Sequence, residues 1–414
     1  MHFLSALLIA LLYSFACLSW GAFLVPFLLK DEEQHPFVMA GSYFLLGQAV
    51  IAALLQLLAL AASYTEIYII VLLILGSIPG AKAAAYTLYQ VINASLSLFK
   101  SWFYESLEWK ALIFLSLVLI GFFALATLSP PQPRGDALAY YLAFPKLVAA
   151  TGTHDFLEGY TVFSTVTMQG EYHFAALMTL HSYTAAKLIV LPVTIAGCWM
   201  LAAIGKMTGL QRRGLWVLIA CIFTSRAFTI VMWDGKVDLF GAALGLAAYY
   251  WAMQCTPPAS TRRLALAGLF TGFAIIAKLT YASFLPITVM ILIAWRLTVN
   301  QPRFAFLTWR KAAPLLIGLI FWMAIPGIPH VIRNMVLFEE PLAPVITFQE
   351  EYNTGLANLD WFSPQTTRKI IAFYPVSLVF GTYPGQGGNL SPFLLTLFPL
   401  VLLLPFPGIF FRAI

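Results

Sequence analysis

Apolar runs long enough to cross a lipid bilayer recur along most of this chain, and they constrain its fold more than any other feature. A helix needs about 20 predominantly apolar residues to cross the hydrocarbon core. The runs cover residues 3–29, 43–62, a stretch from 67, 111–128, 188–204, 214–233, 239–253, 264–277, 281–295, 313–328 and 392–411. With 61% hydrophobic and 10% charged residues, the chain is typical of a membrane protein, because a soluble domain does not bury so much apolar surface.

These runs predict an all-α fold: a polytopic transmembrane helical bundle of about 10–12 spans, with short interfacial helices in the first large outer loop. The first run is too long for a signal-peptide core and lacks a basic start, so we expect a retained span. The third run weakens at 76–80. The more polar segment 81–110 is expected to form an amphipathic interfacial helix, a poor span being the alternative. The predicted parts are N-terminal helices, 1–110, and a core, 111–414, with outer loops 130–186 and 330–389.

The basic residues set the orientation, because cytoplasmic loops carry an excess of lysine and arginine. Short basic loops follow the runs that end at 204, 253 and 295, so these loops are expected to be cytoplasmic. Every second loop then faces the other side of the membrane. The ionisable residues on that side are Asp136, His154, Asp155, Glu158, Glu171, His173, Asp234, Lys236, Asp238, Lys278, Arg333, Glu339 and Glu340. Their convergence predicts a site at this face of the membrane.

Asp136 follows a membrane run and a turn with three prolines and a glycine, and it precedes a predicted short helix at 140–150. A carboxylate at the mouth of a membrane helix is costly unless it is hydrated, paired or functional. The alternative is a solvated residue that caps the next helix.

Glu171 and His173 lie in the same outer loop, just before a predicted short helix at 174–180. The carboxylate of Glu171 can accept a proton or hold a divalent cation, or it can simply favour the first turn of a helix. His173 can ligate a metal, but a histidine among aromatic residues is more often packed and hydrogen-bonded.

Three further positions lie at the non-cytoplasmic ends of spans. Lys278 follows an apolar helix on the side where basic residues are rare, so it either extends to the headgroups or holds an anion such as a lipid phosphate. Arg333 offers a planar fork that suits phosphate oxygens, the alternative being an interfacial anchor. Asp238 lies near Asp234 and Lys236, where pairing within the turn and a role in orienting the site are both open.

The remaining composition excludes several classes of function. The four cysteines have no ligand-like spacing and are interpreted as small core residues. The net charge of +6 is spread over short loops, so it indicates topology rather than a nucleic-acid partner. No segment reads as a phosphate-binding loop for a nucleotide. The energy for any group transfer would then come from an activated lipid.

An ordered series of short motifs on one membrane side resembles the bacterial polytopic glycosyltransferases of the GT-C superfamily, relatives of the aminoarabinose and protein mannosyl transferases. The motifs lie between residues 130 and 344. They are Gly135-Asp136-Ala137-Leu138-Ala139-Tyr140-Tyr141 with Pro145-Lys146, Gly170-Glu171-Tyr172-His173, Lys236-Val237-Asp238-Leu239, the segment 268–280 that contains Lys278, and Ile332-Arg333-Asn334 with Pro341 and Pro344. The chain departs from the family in the number of spans before Asp136 and in the single acid at that position.

This resemblance implies an enzyme of the bacterial inner membrane and cell envelope. It would transfer a sugar from a polyprenyl-phosphate donor to a lipid or glycan acceptor on the periplasmic side, with inversion at the anomeric carbon. Asp136 and Glu171 would be the catalytic carboxylates, with Asp136 as a proton-accepting base or a metal ligand. The residues implied in substrate binding are Lys278, Arg333, Asn334, Tyr140, Tyr141 and Asp238. A divalent cation at Asp136 and His173 is left open as a cofactor.

Two other classes of function remain open. In a transporter or flippase of a lipid-linked or anionic substrate, the same charges would line a route. Such chains often contain internal repeats with interrupted helices in matching positions, and this sequence shows none. A catalytically inactive scaffold on the same fold is the other alternative.

Overall fold

The structure, a computed structural model, describes residues 2–28, 35–128, 141–154, 167–223, 234–255, 261–298 and 309–341, with positions 225, 228, 231 and 232. Its α-helices are α1 His2–Leu28, α2 Pro36–Leu60, α3 Glu66–Trp102, α4 Leu107–Ala126, α5 Ala143–Thr151, α6 Gln169–Thr179, α7 Tyr183–Leu188, α8 Val190–Met207, α9 Arg212–Phe223, α10 Asp238–Met253, α11 Thr261–Ala277, α12 Leu285–Thr298, α13 Trp309–Ala324 and α14 Ile328–Phe338. Short 3-10 turns, Leu279–Ser283 and Ile325–Gly327, precede α12 and α14. These ranges contain no strand, so the predicted all-α class is confirmed.

Five segments of the described chain are long and apolar enough to cross a membrane. They are Phe3–Leu28, Pro36–Leu60, Glu66–Trp102, Tyr183–Met207 and Pro314–Phe338. Among the other apolar helices, α4 has 20 residues, α10 has 16 and α12 has 14. By their length and composition these helices support the predicted membrane protein, while the count of about 10–12 spans stays a prediction.

Helices α1, α2 and α3 approach closely through glycines. A Cβ at Gly47 on α2 would overlap the backbone carbonyl of Cys17 on α1, and a Cβ at Gly80 on α3 would overlap that of Ser19. A Cβ at Gly76 would overlap the ring of Trp20. Gly76 and Gly80 thus form a G-x-x-x-G contact, the arrangement that lets membrane helices pack backbone against backbone.

This contact corrects one sequence expectation. A weakening of the helix was predicted at residues 76–80, with a separate interfacial helix over 81–110. In the structure α3 runs unbroken from Glu66 to Trp102 and contains Pro79. The glycines serve helix packing and do not end the helix. With 37 residues at about 1.5 Å each, α3 is about 55 Å long and exceeds the hydrocarbon thickness of a bilayer.

A second correction concerns α14. The sequence placed a long polar segment from residue 330 onward, but the chain continues as helix to Phe338. The turn Ile325–Gly327 and Pro329 in the first turn of α14 restart the helix instead of ending it. Arg333 and Asn334 therefore lie on a helix. The predicted loop beyond residue 341 and the apolar run 392–411 lie outside the described residues.

The two predicted short helices of the first outer loop exist, with shifted bounds. The helix expected at 140–150 is α5, and the one expected at 174–180 is α6, which begins five residues earlier than predicted. With 9 and 11 residues, neither is long enough to cross a membrane. Residues 169–177 of α6 are buried among the other helices.

Contacts between helix ends show which parts of the chain lie together at each end of the helical bundle. At one end, Arg212 and Arg213 form ion pairs with Glu105 at 3.4 and 3.3 Å, and the ring of Phe37 stacks on Trp199 at 5.6 Å. Arg263 also lies at this end, where its guanidinium donates to the Gln254 carbonyl at 2.6 Å. Gln254 also donates to the sulfur of Met207 at 3.5 Å, so the basic residues that follow the runs ending at 204 and 253 share this end, as predicted. The third basic loop, after residue 295, lies largely outside the described residues. We call this the Arg212 end.

The opposite end is held by backbone contacts from α2 and the loop after it. The amide of His154 donates to the Ala59 carbonyl at 3.2 Å, and the amide of Tyr64 donates to Gly152 at 3.1 Å. Gln56 reaches the Pro329 carbonyl at 3.4 Å. We call this the Glu171 end, because the ionisable residues described next lie there.

Candidate functional site

Glu171 lies in the first turn of α6, and its side chain is almost fully buried at 3% exposure. Burial, as the largest cause, raises the pKa of its carboxyl to about 8; the charge of Asp238 raises it further, whereas a backbone hydrogen bond, Lys278 and Arg333 lower it. Within the described residues its Oε2 atom has no hydrogen-bond partner. A carboxyl with these properties can release or accept a proton near neutral pH.

Lys278 forms an ion pair with Asp238, forty residues earlier in the chain. Lys278 lies in extended backbone between α11 and the turn Leu279–Ser283, and Asp238 is the first residue of α10. Each side chain is 29% exposed. The sequence had placed both residues on one side and left open a local pairing of Asp238 within its own turn. The structure instead pairs Asp238 with a different helix end.

The spacing of these two residues is set by a glycine contact. A Cβ at Gly241, one turn after Asp238, would lie 2.6 Å from the ring of Tyr281, and Tyr281 follows Lys278 by three residues. The aromatic ring therefore packs directly on the backbone of α10. Only glycine leaves room for this approach, which brings the start of α10 next to the end of α11.

Arg333 is fully buried, although the sequence suggested a residue at the membrane surface. Its Nε and Nη2 atoms donate to Oδ1 of Asn334 at 3.2 and 2.9 Å. Its guanidinium also bonds to the Tyr172 side chain. The amide of Asn334 in turn lies 3.3 Å from Nε2 of His330 and from the carbonyl of Pro341.

Tyr172 connects this arginine to the neighbouring loops. Its hydroxyl lies 3.0 Å from Nδ1 of His154, and its carbonyl accepts a hydrogen bond of 2.6 Å from the Tyr64 hydroxyl. Burial, as the largest cause, raises the pKa of Tyr172 to about 12, although the charge of Arg333 opposes this. The tyrosine is therefore a neutral donor and acceptor between a buried cation and an imidazole.

His173 does not fit the metal-ligand role left open by the sequence. Its Nδ1 atom lies 2.7 Å from the Tyr13 hydroxyl, and its Nε2 atom lies 2.9 Å from Oε1 of Gln48. Its ring stacks on Phe240 with 5.5 Å between centroids. Burial lowers the pKa of His173 to about 3, so the imidazole is neutral and both nitrogens have protein partners.

The described residues also lack a set of metal ligands. No three His, Cys, Asp or Glu side chains in these ranges lie close enough to share one ion. The charge of Asp238 acts on Glu171, but Asp238 is already paired with Lys278. We derive no chemical step through a metal from these residues.

Two predicted site residues, Asp136 and Tyr140, lie outside the described residues. Tyr141 is described and is buried at the start of the segment that leads into α5. Of the residues predicted from sequence, the structure brings Asp238, Lys278 and Arg333 close enough for their charges to act on Glu171. Asn334 joins them through Arg333.

Sequence reasoning assigned no role to Tyr172 or to Gln169, whose side-chain amide is buried and has no partner in the described chain. The only available signal was position, since Gln169 and Tyr172 are three residues apart and share one face of α6 with the hydrogen-bonded His173. Because polar and aromatic residues are mixed along this short helix, its polar face could not be recognised from the sequence.

No family model, no curated protein and no solved structure matches the chain.

Proposed function

We propose that this chain is a membrane glycosyltransferase. It transfers a sugar from a polyprenyl-phosphate donor to a lipid or glycan acceptor at the periplasmic face of the bacterial inner membrane, with inversion. The observation that carries the proposal is the position of Glu171. It is a buried carboxyl, one oxygen of which has no hydrogen-bond partner among the described residues, and the charges of the partly exposed Lys278 and the buried Arg333 act on it. Perturbed ionisable groups that meet in this way are typical of catalytic sites.

Lys278 is the residue proposed to contact the donor phosphate. Its ammonium is partly exposed and lies at the end of an apolar helix, so the polyprenyl tail can remain among apolar helices. The buried Arg333 supplies a second positive charge, although its guanidinium is bound by Asn334 and Tyr172. The two cations are proposed to hold the charged donor phosphate, both before and after the sugar leaves.

Glu171 is the proposed proton acceptor. The acceptor hydroxyl oxygen attacks the anomeric carbon, the bond from that carbon to the phosphate oxygen breaks, and polyprenyl phosphate leaves with the bonding electrons. The hydroxyl proton passes to the ionised carboxylate. Because the pKa of Glu171 is about 8, part of the population is ionised at neutral pH. Asp136 stays a second candidate for this proton transfer.

A transporter is the second candidate function, and the same carboxyl favours it. A buried, protonatable acid among helices can couple proton movement to the passage of an anion. The proposed site residues Glu171, Asp238, Lys278 and Arg333 lie together at one end of the bundle, however, as a reaction at the membrane interface would require. Transport would need a polar route toward the Arg212 end.

The test uses the purified full chain in lipid nanodiscs with decaprenyl-phosphate sugars that carry a labelled hexose, pentose or amino sugar. We expect release of decaprenyl phosphate and transfer of label to an added lipid acceptor. Addition of EDTA then distinguishes cation-dependent from cation-independent turnover. Movement of intact donor across proteoliposomes without release of decaprenyl phosphate would support the transporter instead.

A further inference from the structure

The two cations at the Glu171 end differ in how a ligand can reach them. Arg333 has no exposed surface, and its guanidinium bonds to Asn334 and Tyr172. The Lys278 side chain is 29% exposed, which makes it the cation of this pair that an anion entering from outside can touch. In the structure that ammonium is held by the carboxylate of Asp238.

An ammonium that is paired with a carboxylate attracts a second anion less, because the first anion neutralises its charge. A ligand phosphate must therefore either add to the pair or replace Asp238 on Lys278. The backbone limits the first option, since Tyr281 packs against Gly241 and holds the two helix ends close together. Replacement needs only side-chain rotation at two partly exposed residues.

Asp238 has a second source of stabilisation once Lys278 is taken. It is the first residue of α10, where the helix dipole and the free backbone amides favour a negative charge. Neither partner of the ion pair is thus left as an unpaired buried charge when an anion enters.

From this arrangement we infer that Asp238 is a displaceable counter-ion: it holds Lys278 in the empty site, and an anionic phosphate ligand replaces it. The inference deepens the proposed function and rests on it, because it assumes that Lys278 receives a lipid phosphate. Asp238 is then a positioning residue that competes with the substrate, which reverses the substrate-binding role expected from the sequence.

The two possible roles of Asp238, competitor or support, predict opposite changes in phosphate affinity when its charge is removed. Removal of the Asp238 charge should strengthen phosphate binding, because the ligand no longer has to break an ion pair. A carboxylate that merely held Lys278 in place would, when removed, weaken binding. The effect should also depend on Lys278, since the counter-ion acts through that residue.

The experiment measures binding of decaprenyl phosphate to the full chain by native mass spectrometry, with decaprenol as the uncharged probe. The variants are Asp238→Asn, Asp238→Glu, Lys278→Met and the double variant Asp238→Asn/Lys278→Met. Glu66→Gln is the matched control, because Glu66 pairs with the exposed His181 and its change removes the same charge elsewhere on the surface. Asp238→Ser serves as a second neutral variant if Asp238→Asn does not fold.

We expect Asp238→Asn to lower the Kd for decaprenyl phosphate roughly three- to tenfold, as for loss of a partly exposed ion pair. Asp238→Glu and Glu66→Gln should stay within about twofold of the parent. In the Lys278→Met background, Asp238→Asn should have no further effect.

An unchanged or higher Kd for the neutral variant at position 238, whether Asp238→Asn or its substitute Asp238→Ser, would overturn the inference and leave the proposed function standing. If the parent binds decaprenyl phosphate no better than decaprenol, the lipid-phosphate site fails together with the inference. The two failures are therefore distinguishable by the behaviour of the parent.

Discussion

The hydroxyl of Tyr172 lies 3.0 Å from Nδ1 of His154 and also bonds to the guanidinium of Arg333. One phenol on α6 thereby joins the loop after α5 to α14. Because all three side chains are buried, loss of the hydroxyl would leave polar partners in an apolar environment.

Replacement of Tyr172 by Phe should therefore destabilise the protein by about 1–3 kcal/mol, the cost of leaving buried polar groups without a partner. The measurement is the thermal midpoint of the purified chain in detergent. Tyr68→Phe is the control, because Tyr68 is 52% exposed on α3 and should tolerate the change. Equal midpoints for the two variants would show that the Tyr172 hydroxyl stabilises nothing.

The stability of the protein should fall as the pH rises, because of Glu171. Burial raises the pKa of this carboxyl from 4.5 to about 8, so the folded state binds its proton more tightly than the unfolded state between these values. In that window the unfolded chain has lost the proton and the folded chain retains it, so the free energy of unfolding decreases with pH.

Glu171→Gln removes this titration and keeps the size of the side chain. We expect the thermal midpoint of the parent to drop between pH 5 and pH 8 by more than that of the variant. Both proteins should be measured in the same buffers and detergent. Parallel midpoints across this range would contradict the buried, protonated state of Glu171.

The close helix contacts in the N-terminal part give a third prediction. Gly47→Ala should destabilise the chain by about 1–3 kcal/mol or more, because the added methyl overlaps the backbone of Cys17 on α1. Gly121→Ala on α4 is the matched control, since the added methyl meets no atom of another helix within 4 Å in the described part of the chain. A Gly47 variant as stable as the Gly121 variant would show that α1 and α2 are less closely packed.

Topology is tested with single cysteines at Ala61, at the Glu171 end, and Gln211, at the Arg212 end. The basic loops predict that the Arg212 end is cytoplasmic. An impermeant thiol reagent should therefore label Ala61→Cys in intact cells, and Gln211→Cys only after permeabilisation. Labelling of the parent chain measures the background from its four native cysteines. Labelling of both positions in intact cells would remove the basis for a site on the periplasmic side.

The sequence sufficed for the helical membrane class and for the shared side of Glu171, Asp238, Lys278 and Arg333, because apolar run length and loop charge determine both. It could not show that Arg333 is buried. The polar residues His330, Arg333 and Asn334 share one face of α14, and the sequence does not tell whether that face meets water or other helices.

The ion pair between Asp238 and Lys278 could not be predicted from the sequence either. The contact of Asp238 with Lys278 depends on the packing of Tyr281 against Gly241, which is a tertiary relationship between residues forty apart in the chain. The weakening predicted at residues 76–80 was wrong for a related reason. Glycine lowers helix propensity in isolation, but a G-x-x-x-G pair is favourable where another helix packs against it.

The central claim is that a sugar leaves a lipid phosphate at the Glu171 end, with Lys278 binding the donor and Glu171 taking the proton. The most direct measurement is steady-state release of decaprenyl phosphate from a decaprenyl-phosphate sugar by the parent, Lys278→Met and Glu171→Gln. We predict that Lys278→Met raises KM roughly ten- to hundredfold with kcat largely retained, because it removes a charge-assisted contact. Glu171→Gln should lower kcat by about a hundredfold or more with KM retained. A parent that releases no decaprenyl phosphate from any donor, or two variants that match the parent, would contradict the claim.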